Sequence, residues 1–205
     1  MCNKLYIEEI NSDFIRDFIK FGKEEEYSEN TIYRTIHFVK TILNFAERKG
    51  IRTCVRELEL RREKQVKEIV TLTEKEIIQI KKTEVPRELQ AAKDWLLISC
   101  YTGQRFSDFM NFDTEQLRVV DDKSCLSFTQ QKTKKEILLP LHPAVMHVIE
   151  QNGNGFPKPI DIQHYNDNIK EIAKLANLKE IIKARKRIGY RTKEKKKKKW
   201  EILTS

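Results

Sequence analysis

The chain has 205 residues, 35% of them charged and 39% hydrophobic, enough to bury a real core in one large or two small domains. No apolar run approaches the roughly 20 residues of a membrane span, and the N-terminus lacks the basic-then-apolar pattern of a secretory signal. The net charge of +9 lies wholly in Lys179–Ser205, where twelve Lys/Arg face three acidic residues. Such a localised excess favours a polyanionic partner, nucleic acid being the commonest.

The N-terminal part, residues 1–60, reads as a small helical domain. Ser12-Asp13 can cap a helix carrying Phe14, Ile15, Phe18 and Ile19 on one face. Ser28 can cap a longer helix with Ile32, Ile36, Val39, Leu43 and Ala46 at spacings of four and three. Phe38, Ile42 and Phe45 are expected to widen that stripe and make the helix central to the core. Lys49-Gly50 closes it, glycine being suited to a left-handed C-terminal position. Arg34, Lys40 and Arg48 fall mainly away from the stripe, available to phosphates or to water.

Residues 61–70 are rich in charge and poor in turn residues, a linker or exposed helix. A second domain follows over residues 71–205. Thr73-Glu74-Lys75-Glu76 is a capping box before Ile77, Ile78 and Ile80. Pro86 suits the first turn of the next helix, whose apolar residues include Leu89, Ala92, Trp95, Leu96 and Cys100 and which Gly103 ends. Cys125–Phe128 and Ile137–Leu141 flank a polar turn as a hairpin. Pro143 starts a helix to about Glu150, residues 152–157 form a loop, and Ile162–Leu178 is helical again. The lysine run Lys195–Lys199 reads equally as a solvated loop or as part of a basic binding segment. The fold class is therefore mainly α with a small antiparallel hairpin.

Chemistry concentrates in two places. Thr102-Gly103-Gln104-Arg105-Phe106-Ser107-Asp108 puts an arginine just after a helix-ending glycine, with Asp108 placed to hold the guanidinium from behind. Gln131-Lys132-Thr133 puts a lysine at the tip of the hairpin, with Lys134 and Lys135 as nearby candidates for the same role. A fixed guanidinium and a mobile ammonium suit a phosphodiester that must be held and charge-stabilised. Cys2, Cys54, Cys100 and Cys125 are widely spaced, as in a reduced cytosolic protein. Phosphate-cradling glycine loops and metal-ligand spacings are absent from the sequence, so neither cofactor nor metal is implied.

In order and context these motifs resemble the tyrosine recombinase (phage integrase) family, particularly the mobile-element integrases. The resemblance implies a helical SAM-like core-binding domain over residues 1–60 and part of an α+β catalytic domain over 71–205. It implies Arg105 as the first catalytic arginine, Asp108 as its support, and Lys132 as the group protonating the leaving 5′-oxygen. Arg34, Lys40, Lys134 and Lys135 become candidate contacts to duplex DNA, which the two domains would clamp. The family's reaction uses a tyrosine nucleophile, passes through a 3′-phosphotyrosyl link without a metal, and proceeds in a tetramer on DNA.

The family's His-x-x-Arg box and nucleophilic tyrosine would follow Ser205. His37, His142, His147 and His164 open no such box, and Tyr165 and Tyr190 precede its place, which leaves them as packing or surface aromatics. Trp200–Ser205 resembles the segment leading into the box. The expectation is a cytoplasmic, nucleoid-associated protein that binds duplex DNA and does not cleave it, with no membrane or small-molecule partner. Two rival readings are a non-enzymatic DNA-binding regulator or accessory factor, and an RNA-binding helical protein.

Overall fold

The structure, a computed structural model, describes residues 5–58, 70–188 and 191–205. The chain divides into two compact units, Met1–Ile69 with Lys183–Lys195, and Val70–Ile182 with Lys196–Ser205. All but Val70 of the expected linker 61–70 lies outside the described residues.

In the first unit, helix α1 (Ser12–Glu24) is capped by Asn11, whose side chain accepts 3.0 Å hydrogen bonds from Asp13 N and Phe14 N. The sequence points to Ser12-Asp13 instead. The Asn11 amide reaches both free N–H groups, while the Ser12 hydroxyl donates to Glu57 O. Helix α2 (Glu29–Arg48) is capped by Ser28, as its sequence predicts, and ends where Gly50 turns left-handed at φ 81°. Gly50 N donates to Glu47 O and Ile51 N to Ala46 O, satisfying carbonyls that the helix end would otherwise leave open.

Ile32, Ile36 and Leu43 of α2 pack with Ile15, Val55 and Leu58 in one core. Phe38, Ile42 and Phe45 do not widen it; they are 66%, 46% and 61% exposed. At about 100° per residue they lie some 80–140° round the helix from Ile32, on a face that α1 does not cover. The α1–α2 crossing is close because position 22 is glycine. A Cβ there would stand 2.7 Å from Ile32 Cγ1.

The second unit is built around helix α4 (Arg87–Thr102), in which Ala92, Trp95 and Ile98 are fully buried. Before it, α3 (Glu74–Lys82) starts with the predicted capping box, Thr73 and Glu76 exchanging hydrogen bonds. After α4 comes one helical turn, α5 (Phe106–Phe109), and then a three-stranded antiparallel sheet. Its strands are β1 (Leu117–Val120), β2 (Lys123–Thr129) and β3 (Glu136–Pro140), paired in that order. Leu126, at the centre of β2, pairs with Leu117 on one side and Leu139 on the other.

Helices α6 (Pro143–Gln151) and α7 (Ile162–Leu175) pack against α4. Trp95 stacks on Phe156 at 5.9 Å and donates from Nε1 to Lys158 O at 2.9 Å. Helix α7 ends three residues before the predicted Leu178, since Asn177 turns left-handed at φ 60°. Ala176 and Leu178 are nevertheless buried.

The basic segment after α7 is a two-stranded sheet of β4 (Ile181–Ile188) and β5 (Arg191–Lys198), which departs from the loop reading. Lys199 at its end is buried and forms a 2.7 Å ion pair with Glu76. Burial by itself would raise the Glu76 carboxyl; hydrogen bonds from Lys199 and Thr73 outweigh it and hold the group below its ordinary value.

Candidate functional site

Gly103 ends α4 with φ 63°, and its N–H still donates to Ser99 O at 2.9 Å. The left-handed step sends Gln104 and Arg105 straight into α5. Arg105 is the residue capping α5, its carbonyl accepting from Asp108 N and Phe109 N at 2.8 and 3.0 Å. Below it the turn is anchored by aromatic packing. Phe106 and Phe109 lie 5.5 and 5.8 Å from the Tyr165 ring, and Phe109 lies 5.8 Å from Trp95. Tyr165 is buried, which pushes its phenol well above its ordinary value. It packs the core, one of the two roles that the sequence leaves open to it.

The Asp108 carboxylate is fully buried, and its two oxygens have different tasks. Oδ2 lies 3.8 Å from Arg105 Nη1, an ion-pair distance with no hydrogen bond. Oδ1 accepts a 2.8 Å hydrogen bond from the backbone N–H of Gln131 in the β2–β3 turn. The Arg105 side chain is 47% exposed, so one edge of the guanidinium is left to solvent or to an anion.

A second bridge runs parallel to the first. Gln130 Nε2 donates to Gln104 Oε1 at 2.9 Å. Every polar group of Gln130 is used. Its N–H donates to Lys135 O, its carbonyl accepts from Lys134 N, and its Oε1 accepts from Thr133 Oγ1. Lys134 takes a left-handed φ of 55° to close this turn. Lys132 stands exposed at the turn, and the Lys134 and Lys135 side chains are exposed on the same loop.

The structure thus brings the Arg105 segment and the Lys132 turn together through Asp108–Gln131 and Gln104–Gln130. Sequence reading singles out Asp108 as a support for Arg105, but not its bond to the turn, and it misses Gln104 and Gln130. Their only signal is adjacency, since each precedes a proposed cation or its turn by one or two residues.

The other DNA-contact candidates stand on α2. Arg34 is exposed. Lys40 is half-buried and donates to Leu58 O at 2.9 Å, so one of its three N–H donors already serves the core of its own domain. Among the described residues no three His, Cys, Asp or Glu side chains converge as metal ligands, and no helix is long and apolar enough to cross a membrane. Tyr190 lies outside the described residues.

These elements define an integrase-type architecture, a helical SAM-like domain followed by an α+β domain with a small antiparallel sheet. Residues 1–53 match the phage integrase SAM-like domain family. Among solved structures, a lambda integrase tetramer bound to a Holliday junction matches with a TM-score of 0.53 at 17% identity. That match covers 83% of this chain and 54% of the other, so the chain spans about half the length of the lambda integrase chain. XerA recombinase matches with a TM-score of 0.41 at 16% identity, covering 87% of this chain and 66% of that one. No curated protein sequence matches. The domain match covers residues 1–53, and the lambda integrase match shows that the fold is shared.

Proposed function

We propose that the chain is the DNA-binding portion of a site-specific tyrosine recombinase of a mobile element, and that Arg105 and Lys132 address one phosphodiester. The observation that carries this reading is the buried Asp108 carboxylate, which faces the guanidinium and also binds the turn bearing the lysine. A buried acid shared by two cationic segments fixes their geometry, so charge stabilisation needs little reorganisation when a phosphoryl group arrives. A pure binder needs no such arrangement; phosphate affinity alone is supplied by any exposed lysines.

In this reading Lys132 approaches the leaving oxygen, Lys134 and Lys135 contact neighbouring phosphates, and Arg34 and Lys40 contact backbone from the helical domain. The intact enzyme works as a tetramer on DNA in the cytoplasm. In this reading the 205 residues bind duplex without cutting it, since their sequence contains no His-x-x-Arg box.

Fluorescence anisotropy with a labelled duplex across salt, paired with a nicked suicide substrate, tests this. The expected result is salt-dependent binding, weakened by Arg105→Ala and Lys132→Ala, with no covalent adduct. A protein–DNA adduct from this chain, or no duplex binding at low salt, overturns it.

A further inference from the structure

The structure divides the basic tail into two kinds of lysine. Lys197 and Lys199 are turned onto acids. Lys197 Nζ lies 3.3 Å from Glu201 Oε2, and Lys199 Nζ lies 2.7 Å from Glu76 Oε2. Their neighbours Lys196 and Lys198 are exposed, as is Lys195. Side chains alternate between the two faces of a strand. Acidic partners for Lys197 and Lys199 leave the exposed Lys196 and Lys198 as an outward pair of one sign.

Within the protein such a pair is unfavourable. By sequence, strands β4 and β5 carry ten Lys and Arg against one acidic residue, Glu194, and like charges crowded together repel one another. A polyanion relieves that repulsion. Its class follows from what the ribbon carries. The two exposed residues, Lys196 and Lys198, are point charges that neutralise phosphate without the bidentate geometry that reads guanine. A two-stranded ribbon also fits a major groove about 12 Å wide.

We propose that the outward face of the β4–β5 ribbon, carried by Lys196 and Lys198, is a sequence-independent contact to duplex-DNA phosphates, additional to the Arg105–Lys132 site. This rests on the duplex-binding function proposed above. Lys197 and Lys199 anchor the ribbon and do not contact DNA.

The test uses the full chain and labelled duplexes of two unrelated sequences, with affinity measured from 50 to 200 mM salt. Lys196→Gln and Lys197→Gln remove the same charge from adjacent positions. The first weakens binding to both duplexes and the second leaves it near wild type. Lys196→Gln/Lys198→Gln lowers the slope of log affinity against log salt by about 1.8, two phosphates' worth. Circular dichroism checks that the variants are folded. An unchanged slope, or equal loss in Lys196→Gln and Lys197→Gln, overturns the ribbon contact while duplex binding by the wild type stands. If the wild type binds a structured RNA hairpin and no duplex, the duplex reading falls together with the ribbon contact.

Discussion

Asp108 is hydrogen-bonded through Oδ1 to the backbone N–H of Gln131, 23 residues away in sequence, while its Oδ2 faces Arg105. Together with the Gln104–Gln130 bond, it ties the β2–β3 turn to α5 and to the residues that follow the central helix. The Asp108 bond is made to backbone, so it fixes the position of the turn and leaves the identity of its side chains free. Residue 132 can vary in chemistry without the scaffold changing, whereas residue 108 must keep an acceptor for the Gln131 N–H.

The first prediction concerns that tie. Asp108→Ala leaves the Gln131 N–H without its acceptor and the guanidinium without its counter-charge. A loss of about 1–3 kcal/mol in denaturant unfolding is expected. Asp108→Asn retains an acceptor for Gln131 and loses the charge. It is expected to keep most of the stability while weakening duplex binding. Equal stability of the Ala variant and the wild type would show that the tie carries no weight.

Gly103 gives the second. Its φ of 63° is strained for a residue with a Cβ, yet an added Cβ would meet no atom within 4 Å. Backbone strain is then the whole effect. Gly103→Ala should cost about 1–2 kcal/mol, and Gly103→Asn clearly less, because asparagine tolerates the left-handed region. Thermal unfolding of the two variants side by side distinguishes strain from crowding, which would penalise the larger Asn more.

Acid unfolding supplies the third. Burial acts to raise the Glu76 carboxyl, but Lys199 and Thr73 hold it below the ordinary 4.5. A depressed carboxyl contributes stability that is complete above its unfolded value and is lost as pH falls through the lower folded value. Wild type should therefore lose stability below about pH 4.5 more steeply than Glu76→Gln, which is less stable at pH 7 and flatter in acid. Parallel curves for the two proteins between pH 6 and 3 would remove Glu76 from the account.

The fourth lies in the helical domain. Gly22→Ala gains helix propensity of about 1 kcal/mol, but its methyl group would stand 2.7 Å from Ile32 Cγ1 and 2.8 Å from Cδ1. Ile32 is 2% exposed and has little room to yield. Overpacking of about 1–3 kcal/mol therefore wins, and a net loss is expected. Gly22→Ala/Ile32→Val, which shortens the facing side chain, should recover part of it. A Gly22→Ala single variant more stable than wild type would show that the two helices separate easily.

Signals that depend on a few adjacent residues were legible in the sequence. The Ser28 cap, the Thr73–Glu76 box, the Gly50 and Gly103 helix ends and the β2–β3 hairpin all stand as read. Strand β1 was not legible. It is four residues long and joins β2 through Asp121 and Asp122, both at positive φ, a turn without the glycine that marks such hairpins. Phe38, Ile42 and Phe45 misled because apolar spacing shows that a helix has an apolar side, but not how much of that side a neighbour covers.

Sequence alone determined the Ser28 and Thr73 helix starts, the Gly50 and Gly103 helix ends, and that the charge excess sits at one end, because each follows from local geometry or from counting. Tertiary structure alone decided which charges are free. Glu76 and Lys199 are 123 residues apart in sequence, and Asp108 and Gln131 are 23. Only folding brings such pairs within hydrogen-bond range. Hydrogen bonding acts only within a few ångströms, so spacing along the chain carries no record of which lysine is buried against an acid and which is left facing solvent.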